Sequence, residues 1–192
     1  MSWMEILTSA KVAGPSLASF TTAVTAIPSP ARRTIPADDW DEGKVLVVKA
    51  AGRVSNVVTA QPTFTFQLML GTVAVPIIAW TSGAVVCSTT AHTTVPWFLE
   101  VMLTVRSLGS GTSGTLIGQG TLESRAFVDS TAVADSVQTH TTLLVPETTP
   151  AVGTGFDTNI ANVADFFIAC GTSNAGNLIQ VEQYALFQTT DF

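Results

Sequence analysis

The sequence predicts an all-β fold in which antiparallel strands pack as a sandwich. The strongest observation is the segment 97–106, where apolar residues occupy every second position and therefore share one face of a strand. A Gly/Ser-rich stretch, residues 108–115, then turns the chain into a second strand. No segment keeps a helical period over three turns, so the pattern favours an all-β class over a mixed one.

The other strands follow in order, each bounded by a turn signal. Pro28-Ser29-Pro30 closes the first strand, and a Gly71-Thr72 turn joins the clearest strand to its successor. The predicted strands are 20–27, 44–55, 63–70, 73–80, 97–106, 116–122, 137–145, 163–170 and 178–188, the last two forming a hairpin around 171–177. Residues 34–42, 82–95 and 146–162 are predicted loops. Strands of this number and length favour an antiparallel jelly-roll sandwich of about eight strands.

The same alternation predicts the core. The inward residues are Leu46, Val48, Ala50 and Val54 in one strand, and Phe64, Phe66, Leu68 and Leu70 in the next. Burial of each large apolar side chain contributes roughly 1.5–3 kcal/mol. Eight such strands supply enough burial for folding, so we expect no cofactor.

The N-terminus is predicted to be an arm, residues 1–19, that precedes a domain spanning 20–192. Its apolar residues are Trp3, Met4, Ile6 and Leu7, which are too few to form a core of their own. A short helix would be marginal here, because nucleation is costly. We expect this arm to dock on a partner, with those four residues as the docking element.

The composition is unusual for a free-standing domain. Hydrophobic residues make up 46% of the chain and charged residues only 11%, yet no apolar run is long enough to span a membrane. We interpret this as a surface covered by other protein copies. The alternative is a β-rich chain whose exposed positions are filled by Thr, Ser and Gln. The net charge of −6 argues against nucleic acid as a partner. The N-terminus shows no secretory signal, so synthesis in a cytoplasm is expected.

One string resembles a dinucleotide motif. Gly109, Gly111 and Gly114 match the spacing G-x-G-x-x-G after a predicted strand. Such a site needs a helix next, because the helix N-terminus holds the pyrophosphate. Gly118 and Gly120 follow instead, and they suit a bulged strand better than a helix. The pattern therefore predicts a hairpin loop.

Four carboxylates surround one tryptophan. Asp38, Asp39, Asp41 and Glu42 flank Trp40, and their oxygens could bind calcium. Their spacing is not that of a known calcium loop. The favoured interpretation is a solvated acidic loop whose tryptophan closes one end of the sandwich.

The histidines and cysteines show no catalytic pattern. Neither His92 nor His140 lies near a nucleophile or a set of metal ligands in the sequence, and we expect no catalytic or metal-binding residue. Cys87 and Cys170 lie in apolar segments, so they are predicted to be buried free thiols, although a disulfide between them stays open.

Several segments resemble parts of jelly-roll virion proteins of tailed bacteriophages. They are 35–56, 62–71, 97–120 and 178–187, and the resemblance spans roughly residues 20–190. It is a pattern of spaced glycines and aromatic residues, and it transfers no functional residue. The resemblance implies a trimer or another ring standing on the capsid lattice.

We therefore expect a structural virion protein without enzymatic activity. It is predicted to be a capsid decoration or cement protein that forms a homotrimer and binds the major capsid protein on the capsid exterior, with no nucleic-acid, membrane or cofactor partner. One alternative is a tail-tip or fibre module that binds a host glycan, with Trp80 or Trp97 as a surface aromatic. Another is a jelly-roll hydrolase or cupin, which would need a histidine-rich site.

Overall fold

A computed structural model describes residues 3–128 and 141–190, which form two antiparallel sheets packed as a β-sandwich. These residues form strands and three short 3-10 turns, and they contain no α-helix. The strands are β1 (Trp3–Ser9), β2 (Leu17–Ala18), β3 (Val24–Thr25), β4 (Arg33–Ile35), β5 (Val45–Asn56), β6 (Thr63–Gly71), β7 (Pro76–Cys87), β8 (His92–Ser107), β9 (Thr115–Ser124), β10 (Phe127–Val128), β11 (Thr141–Val145), β12 (Asn162–Cys170) and β13 (Leu178–Thr190). None of the described residues forms a helix that could cross a membrane.

The two sheets differ in size. The larger sheet has the order β1-β13-β5-β8-β9-β11, with β2 also paired to β13. The smaller sheet has the order β10-β7-β6-β12-β3, with β4 also paired to β12. The late strands β12 and β13 thus each lie between strands that come early in the chain.

The predicted inward residues are buried between the sheets. All eight core positions of β5 and β6 expose 1% or less of their surface, and so do Leu99, Val101 and Leu103 of β8. Trp40 is also buried, and its ring lies 5.0 Å from that of Phe156 in an edge contact. The period-two pattern therefore identified the strand core correctly, and the separate prediction that Trp40 is buried is confirmed.

Three predicted elements were wrong. Residues 20–27 form only the two-residue strand β3, although the Ala26 N–H still donates to the Phe166 carbonyl at 2.8 Å. The predicted loop 82–95 is mostly strand, because β7 continues to Cys87 and β8 begins at His92. Its Thr and Ser residues suit exposed strand positions as well as loops.

The third error concerns the last two strands. The chain crosses from β12 in the smaller sheet to β13 in the larger one, so the two strands do not form a hairpin. Both strands have a buried face, and period two alone does not say which sheet a strand joins. Of the predicted strand 137–145, residues 141–145 are β11 and the rest lie outside the described residues.

The glycines of β9 allow close approach, to the opposite sheet at Gly118 and to the neighbouring strand β8 at Gly120. A Cβ on Gly118 would lie 2.6 Å from Leu103 Cδ2 and 2.8 Å from Trp80 Cδ1. A Cβ on Gly120 would lie 2.0 Å from the Glu100 carbonyl oxygen. These positions exclude larger side chains, because real Cβ atoms do not make such contacts. The glycines after the G-x-G-x-x-G string therefore belong to a strand, as predicted.

Candidate functional site: the outer face of the larger sheet

Several exposed apolar side chains lie on the outer face, which we define as the side of the larger sheet that points away from the smaller one. In β8 the inward set Trp97, Leu99, Val101, Leu103 and Val105 is buried, so the residues between them point outward. Met102 exposes 58% of its surface and Phe98 37%. On the edge strand β1, Ile6 exposes 60%. Apolar side chains that neighbour one another on an exposed face mark a contact surface more often than single ones do.

The structure places the four predicted docking residues on β1, which pairs with β13. Met4 and Ile6 are exposed, and their register partners are Thr189 and Phe187. Leu7 is half-buried and packs against the core. For Trp3 the structure describes only the backbone, which pairs with β13. Met4 and Ile6 are thus brought together on one face, and Leu7 is directed to the other.

The sequence pattern alone did not identify Phe98, Met102 and Phe187, which form the larger part of this face. Phe98 and Met102 lie at outward positions of β8, and Phe187 at an outward position of β13. The signal was present, because period two leaves apolar residues on both faces of 97–106. An apolar residue on the second face indicates either a second buried layer or a contact surface.

Ion pairs border the apolar side chains. Lys49 Nζ lies 3.0 Å from Glu100 Oε2, and Arg53 Nε lies 3.1 Å from Glu182 Oε1. The Lys49 ammonium also lies 6.0 Å from the centroid of the Phe187 ring, within cation–π range. All four charged side chains are partly exposed, so these pairs add little stability to the isolated chain.

A groove of about 610 Å³ lies on this face where β5, β8 and β9 meet. Its lining includes Ala51, Pro96, Phe98, Glu123 and Arg125.

One of the two histidines lies near this groove. His92 has a lowered pKa, first because it is partly buried and second because Arg125 carries a positive charge. His140 lies outside the described residues.

The G-x-G-x-x-G string lies in the connection between the antiparallel strands β8 and β9. Gly111 has a φ of +66° within a turn, which glycine adopts without strain. The chain continues into β9 and not into a helix, so the hairpin-loop prediction is confirmed. This loop offers no helix N-terminus to a phosphate.

The acidic loop contains an internal ion pair. Asp39 accepts from the buried Lys44 ammonium at 2.9 Å, while Asp38 is exposed. Within 3–128 and 141–190, no group of three or more His, Cys, Asp and Glu side chains is arranged to hold a metal ion. The Asp39 carboxylate is thus held by Lys44, one residue before β5 begins.

Two further sets of titratable side chains, Asp165 with its partners and the two cysteines, are buried or partly buried in the sandwich. Asp165 accepts a hydrogen bond from the Thr25 hydroxyl at 2.7 Å and pairs with Arg32 Nε at 2.7 Å. Burial raises the pKa of Asp165, and these two partners oppose that rise. Cys87 and Cys170 are buried and free, as predicted, and burial raises the pKa of both thiols. A raised pKa keeps these thiols in the unreactive protonated form.

The aromatic residues suggested for glycan binding are not at the surface. Trp80 and Trp97 expose 4% and 2% of their surface, respectively, so neither can stack on a sugar ring. That part of the glycan prediction is wrong, because both residues lie on the inward faces of their strands.

No known family model matches the chain, and no curated protein shows significant sequence similarity to it.

Proposed function

We propose that this chain is a non-enzymatic structural component of a tailed-phage virion, a capsid decoration protein. It would self-associate, as a trimer or another ring, and bind the major capsid protein on the outside of the head. The observation that carries the proposal is the outer face, whose exposed Met4, Ile6, Phe98 and Met102 need a protein cover in solution.

The strand order supports a jelly roll of the kind such proteins use. β13 lies between β1 and β5, while β12 lies between β6 and the short strands β3 and β4. A late strand that returns to lie beside an early one is a feature of the Greek keys of a jelly roll. In this interpretation β9, β10 and β11 extend both sheets at one end.

The mechanism would be physical. A protein that binds the assembled lattice but not its separate subunits stabilises the lattice by mass action. Each bridging copy adds buried interface between neighbouring capsomers, which resists the pressure of the packaged DNA. Met4 and Ile6, at the edge of the larger sheet, are the proposed lattice contact.

The test is a tagged copy of the gene in the viral genome. Particles would be purified on a density gradient, stripped of the protein, and then incubated with purified chain. We expect the tag in intact heads and a higher melting temperature after re-addition. Absence of the tag from purified particles would overturn the virion role, and a tag confined to tails would overturn the capsid role.

The groove beside Phe98 supports a second candidate, a module that binds a host glycan. An exposed ring next to Glu123 and Arg125 combines an apolar platform with polar hydrogen-bonding groups. A glycan array probed with the wild-type chain and with Phe98→Ala would separate the candidates. Binding that Phe98→Ala abolishes would favour the glycan module.

A further inference from the structure

The outer face contains an apolar row that crosses four neighbouring strands in register. Ile6 pairs with Phe187, Phe187 with Val47, and Val47 with Met102. Val47 at the centre of the row is already buried by its neighbours, and Met102 is exposed. The row is continuous, because adjacent strands lie about 4.8 Å apart and register partners point to the same side.

The charges that border this row balance. Among the described residues, the outward positions of β13, β5, β8 and the neighbouring β9 carry Lys49, Arg53 and Arg106 as cations and Glu100, Glu123 and Glu182 as anions. The whole chain carries a net charge of −6, so this face is neutral on an acidic protein. A basic partner would be attracted to an acidic face, and this face is not acidic. Two copies of a neutral face with mixed charges do not repel each other, so the face is compatible with self-association.

The size of the face also suits a contact between protein copies. Without β1, the larger sheet has the five strands β13, β5, β8, β9 and β11. At about 4.8 Å between strands and about 6.8 Å between four outward rows, they cover roughly 24 by 27 Å. That projected area, about 650 Å², approaches the roughly 800 Å² of accessible surface that each partner contributes to a standard interface.

We propose that a second copy of this chain covers the part of the row formed by Phe187, Val47 and Met102, with Met102 and Phe187 at the centre of the contact. The inference deepens the self-association part of the proposed function, on which it rests. The edge strand β1, with Met4 and Ile6, is left to the lattice. The Lys49–Glu100 pair then lies at the border of the contact, where it sets the register between copies.

The experiment is sedimentation of the full chain across a concentration series. We expect wild-type protein to form an oligomer and Met102→Lys to be monomeric, with a dissociation constant raised at least about 30-fold, as for a hot-spot residue. Met102→Glu should act alike, which excludes an effect specific to one charge. Val73→Lys is the matched control, because Val73 is equally exposed but lies in the turn between β6 and β7.

Circular dichroism and the melting temperature establish that each variant is folded. A monomeric wild-type chain, or an oligomer that neither Met102 variant weakens, would overturn the inference. So would a monomer that binds particles through Met102, because a different protein would then cover the row. An oligomer that the Met102 variants dissociate, but that is absent from particles, would support the inference and overturn the virion role.

Discussion

The indole N–H of Trp80 donates a hydrogen bond to the carbonyl oxygen of Gly118 at 3.1 Å, and this bond joins the two sheets. Trp80 belongs to β7 in the smaller sheet and Gly118 to β9 in the larger one. The bond satisfies a buried donor that would otherwise cost about 1–3 kcal/mol. It forms only because residue 118 has no side chain, since a Cβ there would meet the indole.

The first prediction is that Gly118→Ala destabilises the sandwich. The added methyl group would lie 2.6 Å from Leu103 Cδ2, and overpacking of this kind costs about 1–3 kcal/mol. For a chain of this size we expect a melting temperature lower by about 2–4 °C per kcal/mol. Thermal unfolding measures the melting temperature of this variant. Gln119→Ala serves as the control, because Gln119 is the exposed neighbour of Gly118. Equal melting of Gly118→Ala and the control would contradict the packing described.

The second prediction separates the two sides of β1. Ile6→Lys should leave the melting temperature unchanged but lower the occupancy of the chain on capsids, because Ile6 is exposed. Leu7→Lys should lower the melting temperature, because Leu7 packs against the core. Thermal unfolding and gel densitometry of decorated particles measure the two effects. Full occupancy with Ile6→Lys would remove β1 from the lattice contact.

Deletion of residues 1–17 tests lattice docking less cleanly than Ile6→Lys does. It removes a whole strand from the edge of the larger sheet and exposes the hydrogen-bonding groups of β13. We expect the truncated chain to melt lower and to aggregate, as measured by light scattering. A truncated chain that melts like the full chain would show that β1 adds no stability to the sheet.

The third prediction concerns acid stability. Because the folded state holds the pKa of His92 below its ordinary value of 6.5, the unfolded chain takes up a proton first as the pH falls. His92 therefore lowers stability as the pH drops through about 6.5, and the loss levels off below the folded-state pKa. His92→Gln should remove this part of the pH dependence in denaturant titrations. An unchanged pH dependence would contradict it.

A companion substitution tests the cause of that shift. Burial is the larger cause and the charge of Arg125 the smaller one, so Arg125→Gln should raise the pKa of His92 only in part. An NMR titration of the imidazole measures the change. A pKa that does not move would show that Arg125 does not act on His92.

The fourth prediction is that both thiols are protected in the folded chain. Cys87 is buried, and its pKa is raised first by that burial and then by Cys170. We expect neither cysteine to react with a thiol reagent near pH 8 until the chain unfolds in denaturant. Thr89→Cys supplies a positive control, because Thr89 is exposed in the connection between β7 and β8. Rapid reaction of the folded wild-type chain would contradict the packing around Cys87.

The strands with strict alternation could be predicted from sequence, and the sheet to which each belongs could not. Phe64, Phe66 and Leu68 mark a buried face because burial follows directly from period two. The crossing from β12 to β13 depends on long-range pairing with β6 and β5, which local pattern does not encode.

The residues of the candidate site divide in the same way, into those that the local sequence pattern predicts and those that only long-range pairing brings together. Met4 and Ile6 could be identified because a short apolar segment at the start of the chain is conspicuous. Their neighbours Phe187 and Met102 are far away in sequence and become neighbours only through the ladders of β13 and β5. A surface assembled across four strands is a property of register, so it becomes visible only in the folded chain.

The insertion of β13 between β1 and β5 also sets the timing of folding. During translation both neighbours of this strand leave the ribosome long before residues 178–190 do, so the edges that they will share with it stay open. Pairing over such a separation in the chain makes folding slow, and exposed edges recruit other chains. Nascent copies should therefore need chaperone protection until synthesis reaches the final strand.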